Sequence, residues 1–93
     1  MIKVTIRFRG PIAGHITGGA FDMETQNGFT IANLLDLAIK QEPYLKTVWK
    51  SPTEIDRDSM ILINDVDIGV VGGLNALVND GDVFTILPLV HGG

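Results

Sequence analysis

The residues with a chemical use lie at the end of the sequence. Residues 83–93 (VFTILPLVHGG) carry no charged side chain when His91 is neutral, and they finish Pro88-Leu89-Val90-His91-Gly92-Gly93. Pro88 lacks a backbone donor and is expected to end a strand. Six residues from Pro88 onward reach at most about 20 Å when extended. Two glycines without Cβ make the last positions thin and permissive in conformation. Such a segment can enter another protein's active site and present the Gly93 carboxylate there. That carboxylate is ionised at neutral pH, with a reference pKa of about 3.3–3.7. Its delocalised charge and poor leaving oxygen make it inert toward acyl transfer until it is activated. The plain alternative is a frayed terminus. Leu89 and Val90, exposed on a loose tail, argue instead for docking.

Other side chains invite weaker readings. His91, beside the Gly92-Gly93 end, suits proton transfer or a simple spacer. The stretch 10–19 (GPIAGHITGG) holds four glycines and one proline, but it lacks the G-x-x-x-x-G-K-[ST] pattern of a phosphate cradle. Asp65-x-Asp67-x-Gly69 hints at a calcium loop, yet the third ligand and the distal Glu are missing, so it reads as a turn with surface carboxylates. Asp80 and Asp82 flank Gly81 as turn residues. Tyr44 and Trp49 read as core or rim packing. No nucleophile and base stand out as a set, and no metal site is expected.

Composition narrows the classes. Cysteine is absent among the 93 residues, which excludes disulfides, thiolate chemistry and cysteine-held metals. Two histidines are too few for a histidine-rich site. No apolar run approaches the ~18 residues of a membrane span, and the opening MIKVTIRFRG alternates rather than forming a leader's apolar run. A cytoplasmic location, without membrane attachment, is the expectation. All seven Lys and Arg lie between Lys3 and Arg57, while residues 58–93 hold five Asp and no Lys or Arg, within a net charge of −4. Direct nucleic-acid binding needs a basic stripe and is disfavoured. An acidic surface suits a basic protein partner or serves solubility.

The length sets a prior of one domain. Ile2, Val4, Ile6 and Phe8 alternate with polar residues, predicting a strand with one buried face. Residues 20–26 (AFDMETQ) form a weaker strand, with Phe21 and Met23 on one face, closing a wide hairpin. Thr30 caps a helix whose stripe is Ile31, Leu34, Leu35, Ala38 and Ile39, and Pro43 ends it. Residues 44–50 predict a short helical turn with Leu45, Val48 and Trp49 as core, broken by Ser51-Pro52. Residues 59–64 form a strand, Asn64-Asp65 a turn and 66–68 a brief edge strand. Gly72-Gly73-Leu74 and Asp80-Gly81-Asp82 are turns, and residues 83–87 a central strand. The fold class is α+β: one main helix on one face of a small mixed sheet, with the first and last strands adjacent at its centre.

Taken together, Asp80-Gly81-Asp82, the apolar strand, Pro88, Val90 and the terminal Gly92-Gly93 resemble the ubiquitin-like β-grasp sulfur carriers. The nearest likeness is to the small subunit of molybdopterin synthase, whose chains end D-G-D, a short apolar strand, then P-P-V-x-G-G; here Leu89 replaces the second proline. The ending His91-Gly92-Gly93 is similar to the ubiquitin-related modifier of tRNA thiolation, and small archaeal modifier proteins share the pattern. The resemblance covers all 93 residues.

It implies a single β-grasp domain, residues 1–93, with a flexible Gly-Gly tail from about 88. An E1-like enzyme, using MgATP, adenylates Gly93, and a sulfur donor then replaces AMP to leave a thiocarboxylate. The chain itself binds no cofactor and is a substrate, not a catalyst. Gly92, His91, Val90, Leu89 and Pro88 form the tail that threads the partner's channel, while Leu87, Asp80 and Asp82 are candidate partner contacts. Three destinations remain open. The first is sulfur delivery in molybdenum or tungsten cofactor synthesis with a large synthase subunit, favoured by the spacing from Asp-Gly-Asp to Pro88. The second is protein modification through a Gly93 isopeptide or tRNA thiolation, favoured by His91. The third is a binding module with an idle tail. One residue added after Gly93 is expected to abolish adenylation, read as loss of ATP–pyrophosphate exchange; retained exchange would sink the assignment of the reacting end.

Overall fold

The computed structural model describes residues 1–89; the assignments made to Val90, His91, Gly92 and Gly93 lie outside the described residues. One mixed sheet contains β1 (Ile2–Phe8), β2 (Ala20–Thr25), β3 (Ser59–Ile63), β4 (Val66–Asp67) and β5 (Val83–Pro88), in the order β2-β1-β5-β3-β4. Four helices, α1 (Ile31–Gln41), α2 (Pro43–Val48), α3 (Pro52–Asp58) and α4 (Ile68–Val71), fall between β2 and β5.

The period-two pattern of β1 buries Ile2, Val4, Ile6 and Phe8. The strand pairs antiparallel with β2, from Ile2 opposite Thr25 to Arg7 opposite Ala20. On its other edge it pairs parallel with β5, from Thr5 opposite Val83 to Phe8 opposite Ile86. The first and last strands are therefore neighbours at the centre, as their hydrophobicity predicts. The β1–β2 connection adds to the core, because its 3-10 turn Pro11–His15 and the residue after it bury Ile12 and Ile16.

Helix α1 begins at a reciprocal cap. The Asn33 N–H donates to Thr30 Oγ1 at 3.1 Å, and the Thr30 N–H donates to Asn33 Oδ1 at 3.0 Å, satisfying two backbone donors of the first turn. Its five apolar stripe residues are buried in one cluster with Val4, Ile6, Phe84 and Ile86. The ubiquitin-like α+β arrangement of one principal helix against a mixed sheet is thus present, but α2 and α3 share the cover.

Two local expectations need correction. Val48, predicted to be core, is 41% exposed, while its neighbours Leu45 and Trp49 are buried. Ser51-Pro52, predicted as a break, starts α3. Ser51 Oγ accepts from the Glu54 N–H at 3.4 Å, and Pro52 occupies the first helical position, where a missing N–H goes unnoticed.

Ile86 is fully buried in the central strand β5. Ile86→Ala is expected to lower stability by about 2–5 kcal/mol through lost transfer energy and a residual cavity. A urea titration checks it as a lower midpoint at unchanged slope.

Candidate functional site: the tail root and its surroundings

Because β5 is flanked by β1 and β3, the last strand leaves the sheet from its middle. Pro88, opposite Ser59, is the final residue of β5. It removes its own donor, but the next residue restores the link: the Leu89 N–H donates to the Asp58 carbonyl at 2.8 Å. Pro88 and Leu89, predicted as the first residues of the free tail, are therefore anchored to the sheet. This corrects the starting point of the tail.

Asp58 also holds the neighbouring elements. Its Oδ2 accepts from Trp49 Nε1 at 3.1 Å. Its carboxylate also accepts from Arg57 Nε and Nη2 at 2.8 and 3.1 Å. That hydrogen bonding, together with the charge of Asp58, raises the Arg57 guanidinium above its ordinary range.

Leu87 lies on the open face of the sheet directly opposite Met60, and the two are 38% and 41% exposed. With Leu62 on the same face, they make an apolar strip beside the root. Arg7 borders it. Its Nε and Nη2 donate to Thr85 Oγ1 at 3.2 and 3.0 Å, and its Nη2 lies 3.3 Å from Asp65. Met60 and Arg7 were not singled out from the sequence, although the alternation of their strands puts both on this face.

The structure does not bring Asp80 and Asp82 to the tail. They sit before Val83, at the opposite end of β5 from Pro88. Asp82 is only 7% exposed. Its Oδ1 accepts from Asn64 Nδ2 at 3.0 Å and its Oδ2 from the Asn79 N–H at 2.7 Å. Asp80 Oδ1 accepts from the Lys3 N–H at 2.8 Å. Gly81 between them has φ 84°, a conformation that favours glycine. These carboxylates hold the turn and its neighbouring strands. The calcium-like pattern resolves similarly: Asp65 pairs with Arg7, and Asp67 Oδ1 accepts from the Gly69 N–H at 2.7 Å. Among the described residues, no group of three or more His, Cys, Asp or Glu is arranged to hold a metal ion.

On the helical side of the root lies an open groove of about 270 Å³. Ile12 and His15 line one part, and Tyr44, Val48 and Trp49 another, with Pro88 and Leu89 completing it. The His15 ring stacks on Tyr44 with centroids 4.3 Å apart and planes 2° from parallel. Trp49 is core, as predicted, and Tyr44 is a half-buried wall. Sequence reasoning missed the groove because three segments distant in the chain assemble it.

The sheet order and the helix laid over it define a ubiquitin-like β-grasp protein. The family model described as Urm1 (Ubiquitin related modifier) matches residues 4–93, and the chain belongs to that family. A chain of the Amycolatopsis orientalis BexX/CysO complex is 33% identical, with a TM-score of 0.67, covering 97% of this chain and 99% of that one. SAMP1 from Haloferax volcanii superposes with a TM-score of 0.77 at 18% identity, covering 98% and 99% of the two chains. Sulfur carrier protein CysO of Mycobacterium bovis is 46% identical over 43 residues, which is 46% of this chain. In that match the chain spans about half the length of the curated relative. Among the described residues, no helix is long and apolar enough to cross a membrane.

Asp82→Ala leaves the Asn79 N–H and the Asn64 amide without their charged acceptor. It is expected to destabilise by about 2 kcal/mol or more, since hydrogen bonds to charged groups contribute about 1.5–3 kcal/mol each. Thermal denaturation checks this, and a variant matching the parent would remove the structural role assigned to Asp82.

Proposed function

We propose that this chain is a sulfur carrier whose reacting group is the Gly93 carboxylate. The observation that carries the reading is that the family match runs through residue 93, and so includes the Gly92-Gly93 end that follows the central strand. The name of the mycobacterial relative, a sulfur carrier protein, supports it. The chain acts as substrate, and an E1-like partner supplies the catalysis.

In this reading a Gly93 carboxylate oxygen attacks the α-phosphorus of MgATP on the E1-like enzyme, and pyrophosphate leaves. Sulfide (HS⁻) then attacks the acyl carbon, AMP departs and the S–H proton is lost, which leaves a thiocarboxylate. The chain's own contribution is presentation. The sheet fixes where the tail begins, residues 90–91 span the channel, and Gly92 and Gly93 pass its narrowest part. His91 serves as spacer. The apolar strip of Leu87 and Met60 is a docking face for the enzymes that take the tail.

Two acceptors suit such a carrier. Delivery to a molybdenum or tungsten cofactor precursor, with a large synthase subunit as partner, is favoured by the spacing between the Asp-Gly-Asp turn and Pro88, which resembles that of the synthase small subunits. Thiolation of tRNA or isopeptide formation is favoured by the ubiquitin related modifier match and by the His91-Gly92-Gly93 ending. The expected result with the E1-like enzyme, MgATP and a sulfur source is an intact-mass gain equal to one oxygen replaced by sulfur. No gain, with an enzyme shown to be active on another carrier, would overturn the reading. Acceptor assays with the thiocarboxylate then separate pterin from tRNA, and a lysine adduct marks modification.

A further inference from the structure

We propose that the groove beside the tail root is a second docking point for the E1-like adenylating enzyme. It would receive one apolar or aromatic side chain from the lip of the channel that takes residues 90–93. This inference rests on the proposed function and names a partner contact on the helical side of the domain, away from the open sheet face.

Three observations carry it. The first is continuity, because Pro88 and Leu89 themselves line the groove. Four residues beyond Leu89 reach at most about 14 Å, so an enzyme holding the Gly93 carboxylate must bring its channel mouth against this end of the domain. The second is size and character. The groove measures about 270 Å³ and is lined mainly by apolar and aromatic side chains, with room for an apolar or aromatic side chain. Its rim leaves Val48 41% and Leu89 49% exposed, while Trp49 behind them is 2% exposed.

The third observation is charge. Arg9 and Lys50, next in chain to Gly10-Pro11 and Trp49, are exposed, as is Lys46 on α2. None of the three forms an ion pair among the described residues. Two neighbouring glutamates are turned toward backbone donors: Glu42 Oε1 accepts from the Tyr44 N–H, and Glu54 Oε1 from the Lys50 N–H. Arg9, Lys46 and Lys50 thus offer unpaired cations to Asp or Glu on such a lip, set among the carboxylates of Glu42, Glu54, Asp56 and Asp58 at the same end. The acidic turns of Asp80 and Asp82 lie at the other end of β5.

Trp49 is the single tryptophan of the chain, which makes the groove directly observable. The full chain carrying 5-fluorotryptophan is expected to give a fluorine resonance that shifts when the adenylating enzyme is added. The resonance should be the same in the V90G/H91G variant and independent of protein concentration. A shift caused by V90G/H91G alone would assign the groove to the chain's own end. A concentration-dependent shift would assign it to a second copy, and either result overturns the proposal.

Kinetics supply the second arm. Val48→Glu places a charge in the groove mouth without touching the core. It should raise KM for the carrier in adenylation about tenfold with kcat within about twofold, as loss of a binding contact does. Val70→Glu, at a valine 77% exposed on α4, should leave both unchanged. Val48→Glu indistinguishable from the parent would remove the groove from the interface and leave the carrier reading intact. Failure of the parent chain to be adenylated would instead strike the carrier reading itself.

Discussion

The parallel pairing of β1 with β5 joins the two extremes of the chain, and the remaining structure is arranged around it. Arg7 and Thr85, 78 residues apart, lie opposite each other across it. Closing so long a loop costs only slightly more than closing a shorter one, because the entropy grows with the logarithm of length. The pairing is nonetheless among the most non-local contacts in the domain, and such contacts form slowly. The local elements that precede it, the β1–β2 hairpin and the capped helix α1, bury their apolar faces on the same side. They prepare the surface that Phe84 and Ile86 complete.

Placing β5 in the middle has a consequence at each of its ends. Before Val83, the Asp80-Gly81-Asp82 turn is tied to Lys3, Asn64 and Asn79. Register is thereby set against both neighbouring strands where a one-residue slip would turn Phe84 and Ile86 outward. After Pro88, the Leu89–Asp58 hydrogen bond carries the order one residue beyond the strand. Asp58 accepts the Trp49 indole N–H as well, so the root, α3 and the groove wall are held as one unit. Of the five Asp in residues 58–93, Asp80 and Asp82 lie in the Asp-Gly-Asp turn, while Asp58 lies at the root.

The sheet and principal helix were legible because their signals are periodic. Alternation placed Ile2, Val4, Ile6 and Phe8 on the buried face, and the stripe from Ile31 to Ile39 marked α1. The misread positions depend on context. Ser51-Pro52 carries the residue types of both a breaker and a helix start, and only the Ser51 cap on Glu54 decides between them. Val48 follows the apolar pattern of a core residue but faces a groove that exists only once residues 11–15 and 88–89 are in place. Asp80 and Asp82 are turn residues, as their types predict, but the donors Lys3 and Asn64 come from segments far along the chain, while Asn79 donates locally. The proposed reacting end at Gly92-Gly93 is read from residue type and position alone, and it lies outside the described residues.

For a domain whose proposed chemistry resides in one terminal carboxylate, the folded part acts by limiting where that carboxylate can go. Had the chain left the sheet at Leu87, six residues would need ordering in the enzyme, at about 1–2 kcal/mol of backbone entropy each. Anchoring Pro88 and Leu89 leaves four, two of them glycines whose permissiveness the channel requires. The shorter tether also shortens the reach to about 14 Å, so tail capture and docking of the domain become one event. An enzyme that binds this tail must also read the surface around its root, with the apolar strip of Leu87 and Met60 on one side and the groove of Val48 and Trp49 on the other. On the proposed reading, discrimination among carriers with similar Gly-Gly ends would rest on those two surfaces, because the tail itself offers little to recognise.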